Sequence, residues 1–237
     1  MTTSSNDEQA ITSELDDLWG RRDEPGVAER CGELAKAGLS RNPASVGLLW
    51  RAARLHFWRA DASDDPRTRE SMSLAGWEEA ERALELSPDC TDARYWAAAS
   101  CGTYAEAIGV LVALSKGLDG RLRRNLDWVV EHAPGYERGG PLLALGRYWA
   151  QLPWPKRDRK KALANLRAAL ARHPENLRAR LYLAEVLRAE GGAGRREALG
   201  LVEHVLGDAP GKYDAPEERL IQRRARALRG ELERELR

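Results

Sequence analysis

The sequence predicts an all-α protein: an α-α superhelix of repeated helical hairpins that ends in a C-terminal capping helix. After residue 8, apolar residues recur at helical spacing, and no segment shows the sustained alternation of a strand. Ala, Leu, Arg and Glu, all strong helix formers, dominate the chain. Prolines that end apolar helical stretches recur every 36 to 46 residues, which is typical of a helical repeat. They are Pro43, Pro88, Pro134, Pro174 and Pro210.

These prolines divide the chain into repeats. We expect a disordered N-terminus over 1–8 and a single helical-repeat domain over 9–237. The predicted repeats cover 9–43, 44–88, 91–134, 137–174 and 177–210, each with a first helix A and a second helix B. The second and third are longer than the others, and we place the excess in 61–71 and in 103–120, the latter apolar enough to form an extra helix. The last helix, 216–236, carries a narrow apolar stripe and otherwise Arg and Glu, as a terminal cap requires.

Helix B of each repeat has small or aliphatic residues at fixed distances from its proline. Ala162, Leu166 and Ala169 lie twelve, eight and five residues before Pro174, and the other repeats have comparable residues at these offsets. Spacings of four and three place such residues on one helix face, and small side chains allow close packing on helix A. The sequence therefore predicts that this face is buried.

This pattern resembles the tetratricopeptide repeat (TPR), which has small residues in helix B and a proline at the repeat end. A narrower resemblance covers about 92–230, where the residues that carry it include Gly139, Gly140, Gly146, Leu152 and Pro153. This segment resembles the T component of tripartite ATP-independent periplasmic (TRAP) transporters and the repeat proteins called regulators of microtubule dynamics. Lys156-Arg157-Asp158 replaces the Gly-Gly-Asp usual in the transporter component, and the sequence has no lipobox. The resemblance implies a helical repeat fold.

Composition restricts the classes of partner. The formal net charge is +1, from 38 basic and 37 acidic residues, whereas proteins that bind many phosphates usually have a basic excess. We therefore expect no nucleic-acid partner. No apolar run reaches the roughly 20 residues that cross a bilayer, and no secretory signal is visible, so we expect no membrane insertion and a cytoplasmic location. The three cysteines are expected to be reduced thiols.

The sequence offers no catalytic constellation. The four histidines lack metal-ligand spacing, and the glycine clusters lack the Lys-Ser/Thr of a phosphate loop. We therefore predict a protein that is not an enzyme and has no cofactor, no metal site and no catalytic residues.

One basic run allows two interpretations. Lys156, Arg157, Arg159, Lys160 and Lys161 could contact phosphates or an acidic peptide, or they could form a solvated connector and the first turn of a B helix. The second interpretation is favoured, since isolated basic runs usually face solvent.

The strongest functional signal is the composition of the A helices, which line the concave face in this type of repeat. Trp, Tyr and Arg carry much of the binding energy at interfaces. The predicted partner-binding groove comprises Trp50, Arg54, Phe57, Trp58, Tyr95, Tyr148, Trp149, Arg178, Leu181 and Arg188. Packing between repeats is the alternative role for each aromatic residue.

These residues predict an adaptor or scaffold that binds a protein partner's peptide or helix, with Arg54, Arg178 and Arg188 contacting acidic groups. The alternative function, drawn from the transporter resemblance, is a solenoid that binds a small apolar or carboxylate ligand in a pore or pocket. Such a protein could be a homo-oligomer.

Overall fold

The computed structural model describes residues 2–237. That part of the chain contains twelve α-helices and no β-strand, which confirms the predicted all-α class. The helices are α1 (Thr2–Trp19), α2 (Val27–Arg41), α3 (Val46–Ala62), α4 (Pro66–Leu86), α5 (Thr91–Ile108), α6 (Val110–Ser115), α7 (Leu118–His132), α8 (Tyr136–Gln151), α9 (Arg159–Arg172), α10 (Leu177–Arg188), α11 (Gly191–Gly207) and α12 (Ala215–Glu235). None of these helices combines the length and the apolar character needed to cross a membrane. Of the stretch predicted to be disordered, residues 2–8 belong to α1, and Met1 lies outside the described residues.

The helices form two compact units, Met1–Val129 (unit 1) and Val130–Arg237 (unit 2), and the boundary falls within α7. In unit 1, α1 to α5 each contact the next helix along the chain, and the A helices α1, α3 and α5 also contact one another in that order. In unit 2, α8 to α12 follow the same scheme, and α8, α10 and α12 make the contacts of A helices. The predicted capping helix is therefore α12.

The helix ends follow from turn chemistry. Each repeat-ending proline lies in the short connection after a B helix, where the missing N–H and the fixed φ angle stop the helix. The following A helix is often capped by a polar side chain. Ser45 Oγ accepts a hydrogen bond from Leu48 N at 3.2 Å, and Asn176 Oδ1 accepts one from Ala179 N at 2.9 Å. Asn176 also donates through Nδ2 to the carbonyl oxygen of Arg138 at 2.9 Å.

In the two long repeats, most of the extra residues are helical. In the second repeat, Pro66 starts α4, a helix of 21 residues whose N-cap is Asp65. In the third repeat, α5 continues to Ile108, and the short α6 follows after Gly109. Segment 103–120 thus contains an additional helix, and Leu111 within it is one of the exposed large apolar residues.

The predicted helix B register is confirmed. The residues twelve, eight and five positions before each repeat-ending proline are buried in all five repeats. Ala162, Leu166, Ala198 and Val202 belong to the main core cluster of unit 2, together with Ile221 of α12. Helix A can pack closely on this face only if it carries a small residue at the contact. In α8 that residue is Gly146, because a Cβ there would lie 2.5 Å from Leu166 Cγ.

Helix α8 begins with a turn of unusual backbone conformation. Glu137, Arg138 and Gly139 have φ angles of 46°, 54° and 78°, which lie in the left-handed region. Only glycine adopts that region without strain, so two of these three residues are held there by their surroundings. One such restraint is the hydrogen bond from Asn176 to the carbonyl group of Arg138. Regular helix starts at Gly140, the start that the sequence predicts for this A helix.

Candidate partner-binding surfaces

The ten residues of the predicted groove are divided equally between the two units. Unit 1 holds Trp50, Arg54, Phe57, Trp58 and Tyr95, and unit 2 holds Tyr148, Trp149, Arg178, Leu181 and Arg188. All of them lie on A helices.

In unit 1, an aromatic cluster forms around two tryptophans that were not among the predicted groove residues. The ring of Trp19, at the end of α1, lies 6.5 Å from that of Trp58 and 6.4 Å from that of Trp96, both edge-on. Trp96 also contacts Phe57 at 5.4 Å and Tyr95 at 4.9 Å. Trp58 and Tyr95 are buried, whereas Trp50 and Phe57 are half-buried. Only the latter two therefore retain substantial surface.

Arg22 is inserted into this cluster. Its guanidinium carbon lies 4.0 Å from the Trp19 ring centroid and 4.4 Å from that of Trp58, and Nη1 donates a hydrogen bond to the carbonyl oxygen of Trp19 at 2.9 Å. The residue is only 2% exposed. A cation held between two indole rings away from water is stabilised by their π-electrons. Arg22 therefore fixes the segment after α1 against α3.

The acidic helix α1 supplies the partner of Arg54. Arg54 Nη2 donates to Asp16 Oδ1 at 2.8 Å, and Arg51 Nε donates to the same oxygen at 3.0 Å. Burial opposes ionisation of Asp16, but the hydrogen bonds and positive charges of Arg51 and Arg54 outweigh it and hold the pKa of Asp16 below its usual range. One arginine that the sequence predicted to contact an acidic group of a partner is thus bound by a carboxylate of its own chain.

The same holds for the two arginines of unit 2. Arg178 is buried, and its Nε donates to Glu217 Oε1 of α12 at 3.1 Å. Arg188 Nε donates to Glu235 Oε1 of the same helix at 2.9 Å, and Arg188 also contacts Glu231. The hydrogen bond to Glu235 is the largest of the effects that raise the pKa of Arg188. The capping helix therefore anchors both side chains, and Leu181 between them is fully buried in the core.

Tyr148 and Trp149 are half-buried on α8, with ring centroids 5.0 Å apart in an edge-on contact. Trp149 packs partly against the main core cluster, and Lys161 Nζ lies 4.3 Å from its ring centroid. Trp149 thus has a packing role, which the sequence had left open. Whether either residue binds a partner stays a prediction.

Unit 2 also contains an open cavity of about 190 Å³ between α8, α10 and the connector before α9. Arg147 lies at its edge, with its guanidinium carbon 4.6 Å from the Tyr182 ring centroid and an ion pair to Glu185. Arg157 of the connector and Arg159 at the start of α9 bring further positive charge. The rest of the lining comprises Ala150, Gln151, Leu166, Val186 and Ala189. Two residues of the basic run, Arg157 and Arg159, therefore line the same cavity as residues of the A helices α8 and α10.

Sequence reasoning did not select Arg147 or Tyr182, although a usable signal was present. Arg147 and Glu185 are 38 residues apart, and so are Asp16 and Arg54. Arg178 and Glu217 are 39 residues apart. These separations are close to one repeat period, so each pair joins similar positions of consecutive A helices. Opposite charges one period apart could therefore have indicated which arginines have partners within the chain.

The described residues contain no group of three His, Cys, Asp or Glu side chains positioned to hold a metal ion.

Comparison with known proteins supports the resemblance found in the sequence. Residues 12–121, a little under half of the chain, match the family model for Regulator of microtubule dynamics protein 1-3. The resemblance to this family is confirmed, but the matched segment lies mostly before 92–230, where the sequence placed it. Regulator of microtubule dynamics protein 3 from Mus musculus is 29% identical over 65% of this chain and 36% of the mouse protein. The Rattus norvegicus protein of the same name is 30% identical over 49% of this chain and 24% of its own length. The chain thus spans about a third of the mouse relative and a quarter of the rat relative.

A solved structure extends the comparison to nearly the whole chain. The crystal structure of a thermophilic TPR protein from Thermus thermophilus aligns with a TM-score of 0.66 at 20% identity, covering 93% of this chain and 98% of that protein. At this identity the match concerns the fold alone. The fold is TPR-like, as the proline spacing predicts.

Proposed function

We propose that this chain is a non-enzymatic adaptor or scaffold that binds a peptide or a helix of a protein partner on the surface of its A helices. The observation that carries the proposal is the unit 2 cavity, which is lined by residues of the A helices α8 and α10. Binding surfaces of repeat proteins are built from such stacked helices. The names of the relatives refer to microtubule dynamics. The property proposed for this chain is binding to a protein.

Within the ten predicted groove residues we propose two roles. The half-buried residues would contact the partner, and they are Trp50, Phe57, Tyr148, Trp149 and Arg188. Arg188 would use the part of its side chain that stays exposed beside its ion pairs with Glu231 and Glu235. The buried ones would hold this surface in shape, because Arg54 and Arg178 are fixed by carboxylates of their own chain and Leu181 belongs to the core. Aromatic residues that are rigid before binding lose little conformational entropy in the complex, which favours affinity.

Site-specific photo-crosslinking tests this proposal. A benzophenone amino acid replaces Gln151, which lines the cavity, and in a matched control it replaces Arg196, an exposed residue of the B helix α11. The proposal predicts protein adducts from position 151 that an excess of unlabelled chain abolishes, and none at position 196. Equal adducts from both positions, or adducts insensitive to competition, would contradict it.

The cavity also bears on the second candidate function, the binding of a small carboxylate ligand. Three arginines in its lining favour an anion. Its volume of about 190 Å³ is, however, below the roughly 300–1,000 Å³ of typical small-molecule sites. A space of this size suits one side chain of a partner better than a whole ligand. Native mass spectrometry that finds a small molecule retained at stoichiometric amounts would reverse this preference.

A further inference from the structure

We infer that the unit 2 cavity receives an acidic side chain, so that the partner segment carries Asp or Glu beside apolar residues. The inference rests on the proposed function, since it specifies the chemistry of the segment that unit 2 binds. Three features support it: the charge balance of the lining, the exposed tryptophan next to the basic run, and the size of the cavity.

The lining has an excess of positive charge. It contains Arg147, Arg157 and Arg159 but only one carboxylate, Glu185, which forms an ion pair with Arg147. Tyr182 stacks on the Arg147 guanidinium and fixes its orientation. The other two arginines therefore have no counter-charge within the lining.

Arg157 of the connector and Arg159, the first residue of α9, can bind a carboxylate. Among the residues that the structure describes, the carbonyl oxygen of Leu152 is the only hydrogen-bond partner of the Arg157 side chain, and it accepts from Nε at 2.8 Å. This bond orients the side chain and leaves its two terminal amino groups for a ligand. The carboxylate nearest to Arg159 is Glu190 at 3.8 Å, in a pair whose side chains are 47% and 40% exposed. Such a loose surface pair contributes little and exchanges readily for a better acceptor.

The connector also presents an apolar anchor. Trp154, three residues before Arg157, is 88% exposed, although tryptophan is usually largely buried. Its loop is held by hydrogen bonds from the amides of Lys156 and Arg157 to the carbonyl oxygen of Pro153, at 2.9 and 3.0 Å. An exposed tryptophan on an ordered loop beside arginines has the composition of an interface hot spot. We therefore expect an apolar residue near the acidic one in the partner.

A protein carboxylate suits this place better than a nucleic-acid phosphate. The apolar wall of Ala150, Val186 and Ala189 can contact the apolar neighbours of an acidic residue, whereas it offers nothing to a sugar–phosphate backbone. The chain as a whole lacks the basic excess of proteins that bind nucleic acid.

Peptide display on the full chain tests the inference. Random peptides are selected, and the best are synthesised with Glu and with Gln at each acidic position. Binding to the full chain is then measured by fluorescence anisotropy at low and at physiological salt. We expect acidic residues beside apolar ones in the selected peptides, and a loss of about tenfold in affinity for each essential Glu→Gln change. Binding should weaken as salt rises.

Variants of the chain then locate the contact. Arg157→Gln with Arg159→Gln should weaken the acidic peptide about tenfold but leave the Gln peptide unchanged, since the two changes remove the same interaction. Trp154→Ala should weaken both peptides. The matched control is Arg172→Gln with Arg196→Gln, which removes the same charge from exposed positions of unit 2 and should leave both affinities unchanged. Equal circular dichroism melting curves verify that the variants are folded.

The outcomes separate the inference from the proposed function. Selected peptides that lack acidic residues yet compete with crosslinking at position 151 would overturn the inference and leave the adaptor proposal standing. Failure to select any peptide also overturns the inference, and the absence of crosslinked protein would then remove the adaptor proposal as well. Oligothymidylate that binds more tightly than every peptide, and loses affinity in the Arg157→Gln, Arg159→Gln variant, would assign the arginines to phosphates instead.

Discussion

Replacing Gly146 with alanine is expected to destabilise unit 2, although alanine is the better helix former. Gly146 lies on α8 where this helix packs on α9. An added Cβ would lie 2.5 Å from Leu166 Cγ, 2.9 Å from Leu166 Cδ2 and 3.2 Å from the carbonyl oxygen of Ala162. Leu166 and Ala162 are both fully buried, so neither can move aside without disturbing the core.

Two opposing effects set the magnitude. The higher helix propensity of alanine stabilises the folded state by about 0.5–1 kcal/mol. Adding a methyl group to a filled core costs about 1–3 kcal/mol, and contacts with Cγ and with the backbone place this site in the upper part of that range. Gly146→Ala should therefore lower the free energy of unfolding by about 1–2 kcal/mol.

The control is Gly200→Ala on α11 in the same unit. An added Cβ there meets no atom within 4 Å, so only the helix-propensity term applies and the variant should gain about 0.5–1 kcal/mol. Urea unfolding followed by circular dichroism gives both free energies, and similar m-values would confirm that the unfolded states are comparable. If Gly146→Ala were as stable as Gly200→Ala, the close approach of α8 to α9 would be wrong.

Three further predictions concern an ion pair, a thiol and a helix cap. Asp16→Asn should cost about 0.5–1 kcal/mol at neutral pH, a value kept small because the Asp16 side chain is 42% exposed. Since the folded-state pKa of Asp16 is lowered, its contribution is complete above the ordinary value of 3.8 and disappears as the pH falls through the folded-state value. The stability difference measured by urea unfolding should therefore vanish in acid, and a constant difference would refute the ion-pair explanation. Iodoacetamide at mildly alkaline pH should modify Cys90, which is half-buried, well before Cys101, because burial raises the pKa of Cys101 to about 12. Mass spectrometry of tryptic peptides checks this order, and equal labelling of the two thiols in the native protein would contradict the burial. Asn176→Ala should lower the free energy of unfolding by about 1–2 kcal/mol through loss of the α10 cap, whereas an unchanged melting curve would show that the cap contributes nothing.

The residues that bear on binding could be predicted only in part. The sequence identified Arg54, Arg178 and Arg188 as cations on A helices, and the structure adds that carboxylates of α1 and α12 already bind them. Composition cannot separate a paired arginine from an available one, because the ion pair depends on the approach of a distant helix. For Arg157 a solvated role was favoured, and the residue is indeed exposed, but it also lines the cavity.

The aromatic residues show the same limit. Trp50 and Trp58 are eight residues apart on α3 and were predicted to have equivalent roles. Trp58 is buried because it is covered by Trp19, the last residue of α1, and by Arg22, which follows that helix. Trp154 had no predicted role, and its side chain is 88% exposed.

The sequence by itself determined that B helices end close to the repeat-ending prolines and which face of each B helix is buried. Both follow from interactions within a few residues, namely proline geometry, polar caps and the spacing of Ala, Leu and Val. The tertiary structure decided which charged and aromatic side chains remain available to a partner. That outcome depends on side chains about one repeat apart, such as Asp16 with Arg54, which local patterns do not connect until the A helices pack against one another.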